Sequence, residues 1–269
     1  MTTTAATDHS GSDLVVTEGH AGVAPRRSPD SIRLVSWNIQ FGVEVEAATR
    51  QLAEHPDLRD ADIILVQEMD ETGTAALAES LSLNHVYGAP GPHKQTGRNF
   101  GNAVLSPWPI GPPDVVRLPY KSSVNGQERV LVHTGITIDG ISIDVGSVHT
   151  EVPSLSSPKR LRQFDQIGLA ASRWPSERLI VGGDFNTITR RGIRAVSERM
   201  EAVGASRLND GVGPTLRRRG QEFALDHLFA RGLRRVDAGV VHGITASDHR
   251  PLWVVLEVEQ PSGPTTPRV

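Results

Sequence analysis

Apolar and polar residues along this chain alternate in short bursts, and the bursts sort into two periods. Segments rich in Val and Ile, several of them alternating apolar with polar positions, recur at 31–38, 62–68, 102–106, 129–138, 141–149, 179–182, 224–230 and 252–258. Each predicts a β-strand. Helical spacing appears between some of them, at 43–53 and 74–81. It is clearest at 157–173, where Leu161, Phe164, Ile167 and Leu169 follow a helical repeat. The strands at 129–138 and 141–149 are separated only by Asp139-Gly140, a two-residue hairpin signal. Antiparallel hairpins interspersed with helices predict a layered α/β sandwich and argue against a purely parallel sheet.

The 269 residues suffice for a substantial core, and no internal repeat or long linker divides them. The first thirty residues and those from 259 onward are polar and rich in Thr, Ser, Gly and Pro. They are expected to be disordered tails flanking one domain at 31–258. No early basic cluster precedes an apolar core, and no apolar run reaches the roughly 18–20 residues of a membrane span. A cytoplasmic location is therefore expected, with secretion the alternative, and the chain is expected to be a monomer. The chain has no cysteine, which excludes disulfides, thiolate catalysis and cysteine-based zinc sites. Any metal must be held by carboxylate, amide or imidazole. The formal net charge is −3, yet residues 189–235 hold eleven arginines against five acids, including Arg217, Arg218 and Arg219. That run is either a phosphate-facing patch or a solvated face, and charge alone does not choose.

The strands end in a consistent way. They stop at Asn38, Gln67-Glu68, His149, Asp184-Phe185-Asn186 and Asp226, and Asp248-His249 opens the last one. A single strand ending in a carboxylate is unremarkable, because Asp forms turns readily. Six such ends of carboxylate, amide and imidazole type, gathered on one edge of a sandwich, would make a site for a hard cation with acid/base groups beside it. His227, His133 and His242 are expected to be structural or exposed, and Trp37, Trp174 and Trp253 to be packing residues.

In sequence order, Trp37-Asn38, Gln67-Glu68, Gly183-Asp184-Phe185-Asn186 and Ser247-Asp248-His249-Arg250-Pro251-Leu252 resemble the motifs of the endonuclease/exonuclease/phosphatase superfamily. The resemblance runs from about residue 32 to residue 258 and includes the strand after the second motif and the one before His149. It implies an α+β fold: a four-layer α/β sandwich of two packed mixed β-sheets flanked by helices. It also implies a divalent-metal-dependent phosphoesterase. Glu68 would be the principal metal carboxylate, with Asn38 and Asp248 beside it, and Mg²⁺ the expected ion, Mn²⁺ or Ca²⁺ being alternatives. Asp184 would deprotonate the attacking water and Asn186 hold the phosphate or that water. His249, supported by Asp226, would bind the scissile phosphate, with His149 in the second phosphate-contacting position. Glu128 would be the partner of His149, and Asn102 would either line the phosphate site or support its strand. A phosphodiesterase acting on DNA or RNA is the leading expectation. A phosphatase or phosphodiesterase of a small or lipid phosphoester is the alternative, because this fold does not choose its substrate.

Overall fold

The computed structural model describes residues 2–6, 14–21 and 31–259, the first of these as backbone only. The chain begins with β1 (Thr2–Ala6), β2 (Leu14–Gly19) and β3 (Ile32–Asn38), followed by α1 (Val45–Glu54), β4 (Ile63–Met69), α2 (Glu71–Leu81), β5 (Asn84–Ala89) and β6 (Gly101–Ser106). Then come β7 (Asp114–Arg117), β8 (Val130–Ile138), β9 (Ile141–His149), α3 (Ser157–Ala171), β10 (Arg178–Asp184) and α4 (Arg190–Glu201). The last part holds β11 (Ser206–Arg207), β12 (Leu216–Arg218), β13 (Gln221–Phe223), β14 (Asp226–Arg231), β15 (Leu233–Val240) and β16 (Leu252–Val258).

These strands form an eight-stranded sheet, β1-β2-β5-β6-β4-β3-β16-β15, and a six-stranded sheet, β11-β14-β10-β9-β8-β7; β12 and β13 pair alone. Both large sheets are mixed, since β3 runs parallel to β4 and β9 parallel to β10 within otherwise antiparallel neighbours. Side-chain alternation decides the layers. Leu34, Leu65 and Ile180 point into the core between the sheets. Val35, Trp37, Ile64 and Val66 point outward onto the layer containing Ala48, Leu52 and Leu77 of α1 and α2. Leu179 and Val181 meet Phe164, Ile167, Val196 and Met200 of α3 and α4. Central strands are thus apolar on both faces, which is why they read as unbroken runs in the sequence. The result is the expected four-layer sandwich. Each fully buried aliphatic side chain stabilises it by about 1.5–3 kcal/mol.

The sheets approach closely at β10. A Cβ on Gly182 would lie 2.2 Å from Leu228 and 2.8 Å from Leu65 of the facing sheet, so only glycine fits there. At the expected hairpin Ile138 pairs with Ile141, and Asp139 (φ 49°) and Gly140 (φ 79°) make the left-handed two-residue turn.

Three corrections follow. Residues 1–30 are not wholly a tail: β2 pairs with β5, and Leu14 and Val16 enter the inter-sheet core. That strand is hidden in sequence because three apolar residues sit in a Thr- and Gly-rich context. The expected tail of residues 259–269 lies, beyond Glu259, outside the described residues. Helix α2 starts earlier than the 74–81 spacing suggests, because Asp70 caps it by accepting from Gly73 N at 2.6 Å. Helix α4 was not expected, since its four arginines obscure the two buried residues, Val196 and Met200. No helix among the described residues is long and apolar enough to cross a membrane.

His227 is fully buried behind the site, ringed by Phe185 and Phe229, with Nε2 bonded to Thr187 Oγ at 2.6 Å. Burial first, then the Arg207 charge, lower its pKa to about 3. A histidine held neutral in the folded state but protonated when unfolded contributes stability above pH ~6.5 that drains away as pH falls toward 3. Its share of the loss between pH 7 and pH 4 is on the order of 3 kcal/mol. Urea unfolding of wild type and His227→Gln across that range is expected to show a shallower pH dependence in the variant. Parallel profiles would disprove the assignment.

Candidate active site

The site lies where β3, β4, β9 and β10 end on one edge of the sandwich, so it draws on both sheets. Two backbone irregularities shape it. At Glu68 the β4–β6 register slips between Gln67 and Met69, and Glu68 takes a left-handed φ of 62°. Such a bulge re-aims one side chain out of the strand alternation. Here it turns the carboxylate toward the neighbouring loop, where Oε2 accepts from Phe41 N at 3.0 Å and Oε1 from Asn38 Nδ2 at 3.1 Å. At the end of β10, Gly183 has φ 141°, and a Cβ there would sit 1.9 Å from Val148 O. Only glycine lets β10 and β9 stay paired up to Asp184↔His149.

Asp184 is the centre. It is 2% exposed, and its two oxygens have different surroundings. Oδ1 accepts from Asn186 N at 2.8 Å. Oδ2 accepts from Asn38 Nδ2 at 3.1 Å and lies 3.5 Å from His149 Nε2 and 3.6 Å from His249 Nε2. Burial raises the Asp184 pKa above the usual carboxylate range, against the opposing His249 charge. His249 donates from Nδ1 to Asp226 Oδ2 at 2.9 Å. Burial alone would lower its pKa, but the Asp226 and Asp184 carboxylates outweigh that and raise it. At neutral pH His249 is therefore a cation, bonded to Asp226 and facing Asp184.

The expected residues do not all take their expected parts. Asn38, Glu68, Asp184, His149, Asp226 and His249 converge. Asn38 serves as a bridge, not in the expected ligand orientation: its amide NH₂ is shared by Glu68 and Asp184, while its Oδ1 takes Gln40 N at 3.1 Å. Asn186 N donates to Asp184 Oδ1, and its side-chain amide donates to Thr150 O at 3.0 Å. Asp248 is exposed on the loop that Ser247 ties to Asn38 O at 2.7 Å. Asn102 donates to Val130 O at 2.8 Å and so links the two sheets, the strand-supporting one of its two expected uses.

Glu128 is the clear correction. Its carboxylate pairs with Arg117 and with Lys121 at 3.3 Å, away from His149. In extended backbone neighbouring side chains point opposite ways, and it is Arg129 that points inward. Arg129 is buried, bonds Glu151 at 3.2 Å, lies over the Phe100 ring and donates to His149 Nδ1 at 3.0 Å. A guanidinium has no acceptor, so His149 Nδ1 carries no proton. The imidazole proton sits on Nε2, facing Asp184 and, at 4.0 Å, Glu68. Burial and the Arg129 charge hold His149 neutral, well below the usual histidine pKa. Sequence reasoning also missed Arg160 of α3, which donates to Asn186 O at 2.6 Å and braces the left-handed turn there (φ 49°). Its helical position far from any motif gave no signal.

The donor set fits a hard cation. Glu68 remains 15% exposed, Asp248 lies on the adjoining loop, and both offer oxygen. Asp184, Asp226 and His249 also cluster closely enough to share an ion. That trio is already joined by the Nδ1–H bond to Asp226, so it is better suited to holding a proton than a metal.

Fold and site together define a four-layer α/β sandwich with imidazoles and carboxylates gathered at one edge shared by both sheets. The chain belongs to the endonuclease/exonuclease/phosphatase family, whose sequence model matches residues 35–249. That family consists of divalent-metal-dependent phosphoesterases. Among curated proteins, none matches the sequence. Solved structures share the fold. The endonuclease/exonuclease/phosphatase from Beutenbergia cavernae DSM 12333 is 21% identical, with a TM-score of 0.67 over 86% of this chain and 72% of that one. D. rerio TDP2 complexed with single strand DNA product is 13% identical, with a TM-score of 0.65 over 86% of this chain and 100% of that one. The mannosyl-6-phosphatase from Bacteroides thetaiotaomicron VPI-5482 is 16% identical, with a TM-score of 0.66 over 84% of this chain and 100% of that one. At these identities the likeness carries the fold and leaves the substrate open.

Histidine-labelled protein provides a direct check on the Arg129 arrangement. Long-range ¹H–¹⁵N spectra at pH 7.5 are expected to show His149 as the Nε2–H tautomer, and Arg129→Glu to move the proton to Nδ1. An Nδ1–H tautomer in the wild type would refute it.

Proposed function

We propose that this chain is a divalent-metal-dependent phosphodiesterase that cleaves nucleic acid by in-line attack of water. The observation that carries the reading is the set of three N–H groups, from Asn38, His149 and His249, converging on the single buried oxygen Asp184 Oδ2. An arriving phosphoryl group would exchange those imidazole contacts for its own oxygens. His149, neutral and with its proton on Nε2, donates a hydrogen bond. His249, charged and oriented by Asp226, donates another and neutralises developing negative charge. Asp184, released from the imidazoles but still held by Asn186 N and Asn38, is left to take a proton from water. Its raised pKa suits a base working near neutrality. Glu68, with Asp248 beside it, would hold the ion, and Asn38 fixes Glu68 relative to Asp184. When bound, the ion supplies Lewis-acid polarisation of the phosphoryl oxygen and stabilises the leaving oxygen. Of the arginines in residues 189–235, Arg199, Arg207 and Arg234 pair with acids, whereas Arg217, Arg218 and Arg219 lie exposed beside the segment of His249, which supports a phosphate backbone as the substrate.

The test is hydrolysis of plasmid DNA, bis(p-nitrophenyl) phosphate and inositol phosphates, each with and without Mg²⁺ or Mn²⁺. Metal-dependent nicking of plasmid is expected, with Asp184→Asn lowering kcat by roughly 10²–10⁴. Turnover of inositol phosphates alone would replace the nuclease reading with a phosphatase one. An absence of metal-dependent turnover on every substrate would overturn it altogether.

A further inference from the structure

The three consecutive arginines are not scattered over the surface. They form one arm, and that arm is keyed to the catalytic pair. At its base Leu216 bridges to His249 in antiparallel register, and Thr215 O accepts Arg250 N at 2.6 Å. Thr215 is fully buried, and its hydroxyl accepts from both Leu225 N and Asp226 N at 3.2 Å. One residue thus anchors the hairpin to the strand of Asp226 and to the segment of His249. From Leu216 the strand rises about 3.3 Å per residue, so the Arg217 and Arg218 backbones lie roughly 3 and 7 Å further out. Arg219 (φ 51°) and Gly220 (φ 78°) then make a left-handed two-residue turn, and β13 brings the chain back.

The charges along this arm are unbalanced. Glu222, its one acid, is bonded to Arg250 at 2.9 Å, and among the described residues no ion pair engages Arg217, Arg218 or Arg219. All three are exposed. Arg218, Arg219, Gln221 and Phe223 line a pocket of about 210 Å³. Three adjacent like charges repel one another, and a face serving only solubility would be expected to mix signs. Paired guanidinium forks with an amide and a ring beside them match a phosphate carried next to a planar or cyclic group.

We propose that the β12–β13 hairpin is a second anion subsite, which binds a further phosphate of the same substrate while the scissile phosphate lies at His149, His249 and Asp184. The inference rests on the reading of the main site as a phosphoesterase, and it makes the number of phosphates on the substrate a determinant of selection. Two sources present such a phosphate at this distance: an oligonucleotide strand and a polyphosphorylated small molecule.

Binding to the full chain in EDTA separates this proposal from catalysis. The probes are fluorescein-labelled single-stranded (dT)₁₀, followed by anisotropy, and inositol hexakisphosphate, followed by calorimetry. Arg218→Ala/Arg219→Ala is expected to weaken the bound source at least about tenfold. If that source is (dT)₁₀, the slope of log K against log salt should fall by about 1.4, since each lost phosphate contact on a single strand contributes about 0.7. Arg218→Lys/Arg219→Lys should keep the slope and lose part of the affinity, because it keeps the charge without the fork. Loss confined to one probe assigns the source. Unchanged binding of both probes in the alanine variant would overturn the subsite, even if bis(p-nitrophenyl) phosphate is turned over. Arginine-dependent binding without any turnover would leave the subsite standing and remove the phosphoesterase reading instead.

Discussion

A carboxylate that is 2% exposed cannot remain ionised without compensation, and the whole arrangement of this molecule depends on how Asp184 is compensated. The groups that face it come from separate parts of the fold: the donors Asn38, from β3 of the larger sheet, and Asn186 N, from its own strand end, and the imidazoles of His149, from β9 of the smaller sheet, and His249, from the loop before β16. A shift of one sheet against the other by a single residue spacing would break most of these at once. The inter-sheet contacts at this end are correspondingly polar and specific. Gln67 donates to Ser147 Oγ at 3.1 Å, Ser147 donates to Val66 O, and Asn102 donates to Val130 O. Within the larger sheet, Trp37 Nε1 fixes the His249 segment by a bond to His249 O at 2.9 Å. Apolar packing brings the sheets together without direction, and these bonds supply the register.

Backbone conformation is spent at the same edge. Glu68 and Asn186 both adopt left-handed φ, as do Gln40 and Phe41 in the loop whose N–H holds Glu68. Non-glycine residues in that region cost on the order of 1 kcal/mol or more each, so the surrounding bonds must over-determine them. They do. Arg98 holds Phe41 O at 2.6 Å while pairing with Asp70 at 2.8 Å, and Arg160 holds Asn186 O. Strain at the carboxylate side is therefore offset by arginines whose own positions are set by helix starts and loops outside the motifs.

That division explains what was legible in the sequence. Strand ends carrying Asn38, Glu68, His149, Asp184 and His249 were visible because a strand exposes its last residue to a shared edge, and apolar runs mark where strands stop. The layer order was visible for the same reason. The residues that orient this set were not. Arg129 was masked by Glu128, one position away, since sequence alone does not say which of two adjacent charges faces inward. Arg160 lies on a helix, where a partly buried arginine looks like any solvated one. Strand β2 was hidden because only three apolar residues stand in a Thr- and Gly-rich context, and Asn38 kept its place but changed its use, because an amide's partners are fixed only by tertiary geometry.

The same geometry bears on electrostatics. Glu68, Asp184, Asp226 and Asp248 bring four carboxylates to the edge, whereas His249 is the one histidine there held as a cation. Arg129 is committed to Glu151 and His149, and Arg160 to backbone carbonyls. An anionic substrate approaching this edge meets an acid surplus, on a chain whose net charge is already −3. Two changes make the approach favourable: a divalent cation among the carboxylates, and unpaired positive charge just outside them. The first is the electrostatic case for the metal. The second is met by a hairpin whose base is fixed to Asp226 and His249, so that the attraction acts at a set distance from the reacting centre and does not spread over the surface.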